Sequence, residues 1–110
     1  MTRVVIQRDR TNAYRGFYCT GHAGYAKPGQ PDILCAAISA LVIGTINSLE
    51  ELAGERLSVD TDEDTGFIRC DFLDILQEKS SFLIDSMVFS LENMSREYGK
   101  KYLQVKIEEV

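Results

Sequence analysis

The sequence predicts an α+β domain in the order ββαββαβ, with two helices packed on a largely antiparallel sheet. Three observations carry that prediction. Short runs rich in β-branched and aromatic residues recur along the chain. Two longer segments instead repeat apolar residues at helical spacing, and glycine, proline, asparagine and aspartate gather between the segments. A chain of 110 residues fits one domain spanning residues 1–110.

Taken in order, Arg3 to Arg8 (RVVIQR) and Tyr14 to Thr20 (YRGFYCT) read as strands, and the turn residues DRTNA between them make a hairpin. Gly21 to Pro31 holds three glycines and two prolines, so it is expected to be an exposed, mobile loop. Asp32 suits a helix N-cap, a helix follows over Ile33 to Ala53, and Gly54 suits the C-cap. The first half of that helix, ILCAAISALVIGTI, is apolar nearly all round, which predicts burial in a core or interface. ERLSVD and GFIRCDF read as strands joined by the acidic turn Thr61–Thr65, with Ile68, Cys70 and Phe72 alternating onto one face. Ser80 or Ser81 can open a second helix. Its apolar stripe runs through Ile84, Met87, Val88, Leu91, Met94 and Tyr98, with Asp85, Glu92 and Arg96 toward water and Gly99 at its end. YLQVKIE closes the chain as a strand with Leu103, Val105 and Ile107 on one side.

Composition narrows the function. Residues are 45% hydrophobic and 26% charged, as in a soluble globular domain, and net charge is −5 from 17 acidic against 12 basic residues. With no Lys/Arg block there is no phosphate-binding footprint, so no direct nucleic-acid partner is expected; a basic protein or peptide is compatible with the charge. The start, MTRVVIQRDR, lacks the pattern of a signal peptide. The uncharged run between Asp32 and Glu50 falls short of the roughly 20 apolar residues of a membrane span. It also contains Ser39, Thr45, Asn47 and Ser48, so a buried helix is expected and no membrane partner. Cys19, Cys35 and Cys70 make an odd count, which predicts reduced thiols and a cytoplasmic location.

The chemistry concentrates in GHAGYAKPGQPDILCAAIS, Gly21 to Ser39, which holds the only histidine. If Asp32 caps the helix, Cys35 lies in its first turn, where the partial positive charge of the helix end favours thiolate, the nucleophilic form. His22 on the adjoining loop can take the proton and later return it to a leaving amine, without any cofactor. The N–H groups of Cys35 and Ala36 are candidate oxyanion donors. Each residue has a plainer reading. Cysteine is commonly a buried apolar residue, and the spacing from His22 does not force contact with Cys35. Asp32 serves as a cap alone or also orients His22; Ser39, one turn beyond Cys35, bonds substrate, His22 or its own backbone. Gly21 is a hinge or a turn glycine. Cys19, His22, Cys35 and Cys70 also supply the ligand types of a zinc site, although no second paired motif is present and no metal is expected. Asp60, Asp62 and Asp64 imitate part of a calcium loop, but Thr65 stands where that loop requires glycine.

The residues GHA, a glycine-containing loop, then DILCAAIS resemble the ribosomal-processing cysteine protease family Prp, and LEELAGE and DSMVFSLENMSREYGKKYLQVKI extend the similarity over essentially the whole chain. The resemblance implies a catalytic dyad of His22 and Cys35 and a homodimer whose dyad loop is mobile until substrate orders it. It implies removal of the N-terminal extension of large-subunit ribosomal protein twenty-seven, cut after hydrophobic and aromatic residues. Gly21, Asp32 and Ser39 match motif positions without assigned roles. No third catalytic side chain is evident, so a papain-like triad is not expected. The alternatives are a non-catalytic homodimeric binding module associated with the ribosome and a small zinc protein.

Overall fold

Strand and helix signals resolve into β1 (Thr2–Arg8), β2 (Tyr14–Thr20), α1 (Ile33–Glu51), β3 (Leu57–Asp62), β4 (Phe67–Phe72), α2 (Glu78–Tyr98) and β5 (Leu103–Glu109) in the computed structural model, which describes residues 1–110. This is the expected ββαββαβ order. The five strands lie as β3-β4-β2-β1-β5. Three pairings are antiparallel, and the last strand returns to lie parallel to the first, Thr2 opposite Leu103 through Arg8 opposite Glu109.

Alternation along the strands sends Val4, Ile6, Phe17, Cys19, Cys70 and Phe72 to the face covered by the helices. There they meet Leu34, Ile38, Val42, Ile46 and Leu49 of α1 and Ile84, Met87, Val88 and Leu91 of α2. Phe17 and Phe72 pack edge to face with ring centres 6.1 Å apart. Each of these large apolar side chains contributes roughly 1.5–3 kcal/mol by leaving water.

Three local expectations shift. The helix α1 stops at Glu51 rather than Ala53, because the Leu52 and Ala53 N–H groups both turn back to the Ser48 carbonyl; Gly54, at φ +68°, shapes the exit just beyond. The helix α2 begins at Glu78, not at Ser80 or Ser81. Gln77 precedes it and ties it to the α1–β3 connection, donating its side chain to the Ala53 carbonyl and its N–H to the Glu55 carboxylate. The strand β3 continues through Asp62, which shortens the acidic turn to the four residues 63–66.

The largest change concerns the apolar helix. Both helices share one sheet face, so α1 buries only the stripe Leu34, Ile38, Val42, Ile46 and Leu49. Ile33, Ala36, Ala37, Ala40, Ile43 and Gly44 remain exposed on the other side. By length and composition alone α1 could cross a membrane, with 19 residues and a mean hydropathy of 1.8; here one face of it packs on the sheet. The loop from Gly21 to Pro31 is irregular and largely exposed, as expected, yet it is tied down. Ala23 is buried, and the Tyr25 ring stands edge-on to Tyr98 at 5.5 Å and to Tyr102 at 5.1 Å.

Candidate active site

Strand β2 ends at Thr20, and Gly21 takes φ +80°, a left-handed backbone that swings His22 over the start of α1. At the helix start Asp32 is the N-cap, its Oδ1 accepting the Cys35 N–H at 2.9 Å. These two local devices, a turn glycine and a cap, bring His22 and Cys35 together across the loop. Cys35 Sγ lies 4.0 Å from His22 Nδ1, and the Ala23 N–H donates to the same sulfur at 3.3 Å. The Ala23 N–H and the N-terminus of α1 both present partial positive charge toward the sulfur. The other imidazole nitrogen, Nε2, is 3.1 Å from the main-chain carbonyl of Asp64 in the β3–β4 turn.

The supporting residues take more definite positions than the sequence allowed. The Asp32 carboxylate does not reach His22; its second oxygen accepts the Tyr25 N–H at 2.9 Å, so it caps the helix and anchors the loop at once. Desolvation pushes the Asp32 pKa upward, but N–H groups of Cys35, Tyr25, Ala26 and Leu34 outweigh it and hold the carboxyl below its usual 3.8. Ser39 is exposed, makes no bond back to its helix, and faces the same groove as Cys35. The two N–H groups expected as oxyanion donors, those of Cys35 and Ala36, already have partners. The Cys35 N–H is spent on Asp32 Oδ1, and the Ala36 N–H donates to the Asp32 carbonyl at 3.0 Å as the first helical bond.

The proposed zinc ligands do not converge. No group of three or more His, Cys, Asp or Glu side chains is arranged to hold a metal ion. Cys19 and Cys70 are buried core residues: burial pushes the Cys19 thiol up to about 11, helped by the nearby Cys35, and the Cys70 thiol up to about 12. In the acidic turn, Asp62 Oδ1 accepts the Asp64 N–H at 3.0 Å, the bonding of a self-capped hairpin turn.

A groove of about 290 Å³ runs from this pair along α1. Ile38, Val42 and Ile43 form an apolar wall beside Cys35 and Ser39, while Asp62 and Glu63 supply acidic groups from β3 and its turn. An extended peptide laid here would present its main chain to the thiol and apolar side chains to α1.

The chain matches the model of the family described as cysteine protease Prp over residues 1–104. The chain belongs to the cysteine protease Prp family. The ribosomal processing cysteine protease Prp of Bacillus subtilis (strain 168) is 35% identical over 102 residues, covering 89% of this chain and 90% of its own. The Prp of Staphylococcus aureus (strain Mu50 / ATCC 700699) is 29% identical over 80 residues, 73% of this chain and 74% of its own. Among solved structures, the S. aureus essential ribosomal processing protease Prp in complex with a covalently linked product peptide superposes with a TM-score of 0.88 at 24% identity, covering 98% of this chain and 100% of that one. A Streptococcus mutans protein superposes with a TM-score of 0.84 at 26% identity, covering 100% and 99% of the two chains. As a Prp-family cysteine protease, this chain requires an accessible thiol. Cys35 alone is not buried among its three cysteines.

Nothing in the sequence marks the Ala23 amide or the Asp64 carbonyl, because main-chain groups carry no residue signature. Gly66 reads in the sequence as the first residue of the strand GFIRCDF, yet it lies in the β3–β4 turn, where its lack of a side chain lets the turn lie against His22.

Proposed function

We propose that this chain is a cytoplasmic endopeptidase that removes the N-terminal extension of bacterial large-subunit ribosomal protein twenty-seven, with Cys35 as nucleophile and His22 as general base and acid. The observation that carries the reading is the 4.0 Å approach of Cys35 Sγ to His22 Nδ1 beside an open, partly apolar groove. That separation is long for a working hydrogen bond, as is common before substrate closes a site.

Nδ1 takes the proton from Cys35 Sγ, and the thiolate attacks the scissile carbonyl carbon to give a tetrahedral oxyanion. Collapse breaks the C–N bond as imidazolium returns its proton to the leaving amine. Water, deprotonated by His22, then hydrolyses the thioester and frees the carboxylate product with Cys35 restored as thiol. No cofactor enters this sequence.

The relatives support the substrate class: the B. subtilis protein is a ribosomal processing cysteine protease, and the S. aureus protein has been crystallised with a substrate peptide. The apolar wall of Ile38, Val42 and Ile43 suits the hydrophobic and aromatic residues expected before the cut. Three unpaired thiols are consistent with a cytoplasmic site of action. A homodimer is part of the same reading, supported by the unpartnered apolar side of α1 and checked by sedimentation equilibrium.

The deciding experiment is intact-mass analysis of the source organism's ribosomal protein twenty-seven after mixing with wild type, Cys35→Ala or His22→Ala. One N-terminal cut by wild type, absent with both variants, is expected. A cut that survives Cys35→Ala would overturn the nucleophile assignment, and no cut with folded enzyme and an extension present would overturn the substrate.

A further inference from the structure

We propose that the β3–β4 turn is the third member of the His22–Cys35 pair: the main-chain carbonyl of Asp64 fixes the imidazole tautomer, and Gly66 is the positioning residue that permits it. This rests on the dyad reading above.

A neutral imidazole has one N–H and one lone pair, and which nitrogen carries which is set by its partners. A carbonyl oxygen only accepts. Because Nε2 stands 3.1 Å from Asp64 O, Nε2 carries the hydrogen, and the Nδ1 lone pair is left facing Cys35 Sγ. The opposite tautomer would set the Nε2 lone pair against the carbonyl and turn an N–H toward the thiol, where it cannot act as a base. Once Nδ1 is protonated, the Nε2–H bond to the carbonyl persists and stabilises the imidazolium through a dipole. A side-chain amide or carboxylate ordinarily fills this place in a triad; here a peptide group does.

His22 is exposed, so burial alone does not fix its ring. The turn is held against it by main-chain contacts. The Gly21 N–H donates to the Thr65 carbonyl at 3.0 Å. Gly66 has φ +67°, and a Cβ there would lie 2.4 Å from the Gly21 carbonyl oxygen and 3.2 Å from His22 Cε1. Gly21 is equally constrained, since its Cβ would meet the Met1 carbonyl oxygen at 2.4 Å. The turn's own shape is fixed by the Asp64 N–H to Asp62 Oδ1 and by the Gly66 N–H to the Glu63 carbonyl at 3.3 Å. Two glycines at one crossing let two backbones approach closely enough for one to hold the catalytic ring of the other.

The chain has one histidine, so the imidazole ¹⁵N spectrum reports this ring alone. At a pH where the ring is neutral, wild type is expected to show a protonated Nε2 and an unprotonated Nδ1. Replacing the Asp64–Thr65 amide by an ester weakens that carbonyl as an acceptor while keeping every side chain. It is expected to mix the two tautomers and to slow iodoacetamide alkylation of Cys35 by about tenfold, the scale of losing a partner that orients a reactive group. Gly66→Ala is expected to act in the same direction and more strongly; if that variant fails to fold, the ester carries the test. A wild-type ring protonated on Nδ1, or an ester protein with unchanged tautomer and alkylation rate, would overturn the proposal. His22→Ala separates the two ideas. Undiminished Cys35 alkylation and peptide cleavage in that variant would sink the dyad itself, whereas an active dyad indifferent to the ester sinks only the turn's role.

Discussion

Cys35 sits half-buried at the head of α1 with the Ala23 amide on its sulfur, whereas Cys19 and Cys70 point from β2 and β4 into the core. Alkylation needs both access and thiolate. Burial denies the two core thiols access and pushes them up to about 11 and about 12, so near pH 8 they stay protonated. Brief iodoacetamide treatment of the native protein is therefore expected to add one group, located on Cys35 by peptide mapping, and three after denaturation. A native adduct on Cys19 or Cys70 would show that the core opens on the labelling timescale. His22→Ala is expected to slow the single native reaction, because the thiol then has no base.

At the scale of elements, the junction between the loop and α1 turns on one carboxylate. Asp32 uses one oxygen for the Cys35 N–H and the other for the Tyr25 N–H, so asparagine and alanine test different halves of its work. Asp32→Asn keeps an oxygen for the cap but turns an NH₂ toward the Tyr25 amide. It is expected to melt close to wild type while the Tyr25 amide exchanges faster with solvent. Asp32→Ala loses both contacts and is expected to cost about 1 kcal/mol, the usual value of a lost cap. Equal exchange at Tyr25 in all three proteins would show that the Tyr98 and Tyr102 rings, not Asp32, hold the loop. Most elements were legible in the sequence because their causes are local: alternation for β4, a helical stripe for α2, Asp32 as a start signal and Gly99 as a stop signal. The open side of α1 was not legible, since an apolar helix does not reveal how much of it neighbours will cover. His22 and Cys35 were readable as residue types, whereas the Asp64 carbonyl beside His22 emerges only when β3 and β4 fold back across the loop.

Across the whole molecule, the strand order β3-β4-β2-β1-β5 buries both core cysteines beneath the helices, and this shapes the response to pH. The unfolded chain ionises these thiols near their ordinary 9.0, but the folded chain holds them to about 11 and about 12. Tyr14 behaves alike: burial, then its bond to Asp85, push it up to about 12 from 10.0. Above pH 9 the folded state binds more protons than the unfolded state, so stability falls as pH rises. Each thiol charged only in the unfolded chain contributes a slope of about −1.4 kcal/mol per pH unit. The acidic side runs the other way. Asp32, with its pKa depressed below 3.8, contributes stability that is full above that value and is lost as pH falls through its folded pKa. Urea unfolding from pH 3 to 11 is thus expected to give a plateau between about pH 5 and 9, with a decline on each side. Cys70→Ala lowers the plateau by leaving a small void, but it is expected to make the alkaline decline shallower by up to that single-thiol slope. An unchanged slope in this variant would mean that Cys70 ionises as readily in the folded protein as in the unfolded chain, and that the core beneath α1 admits water.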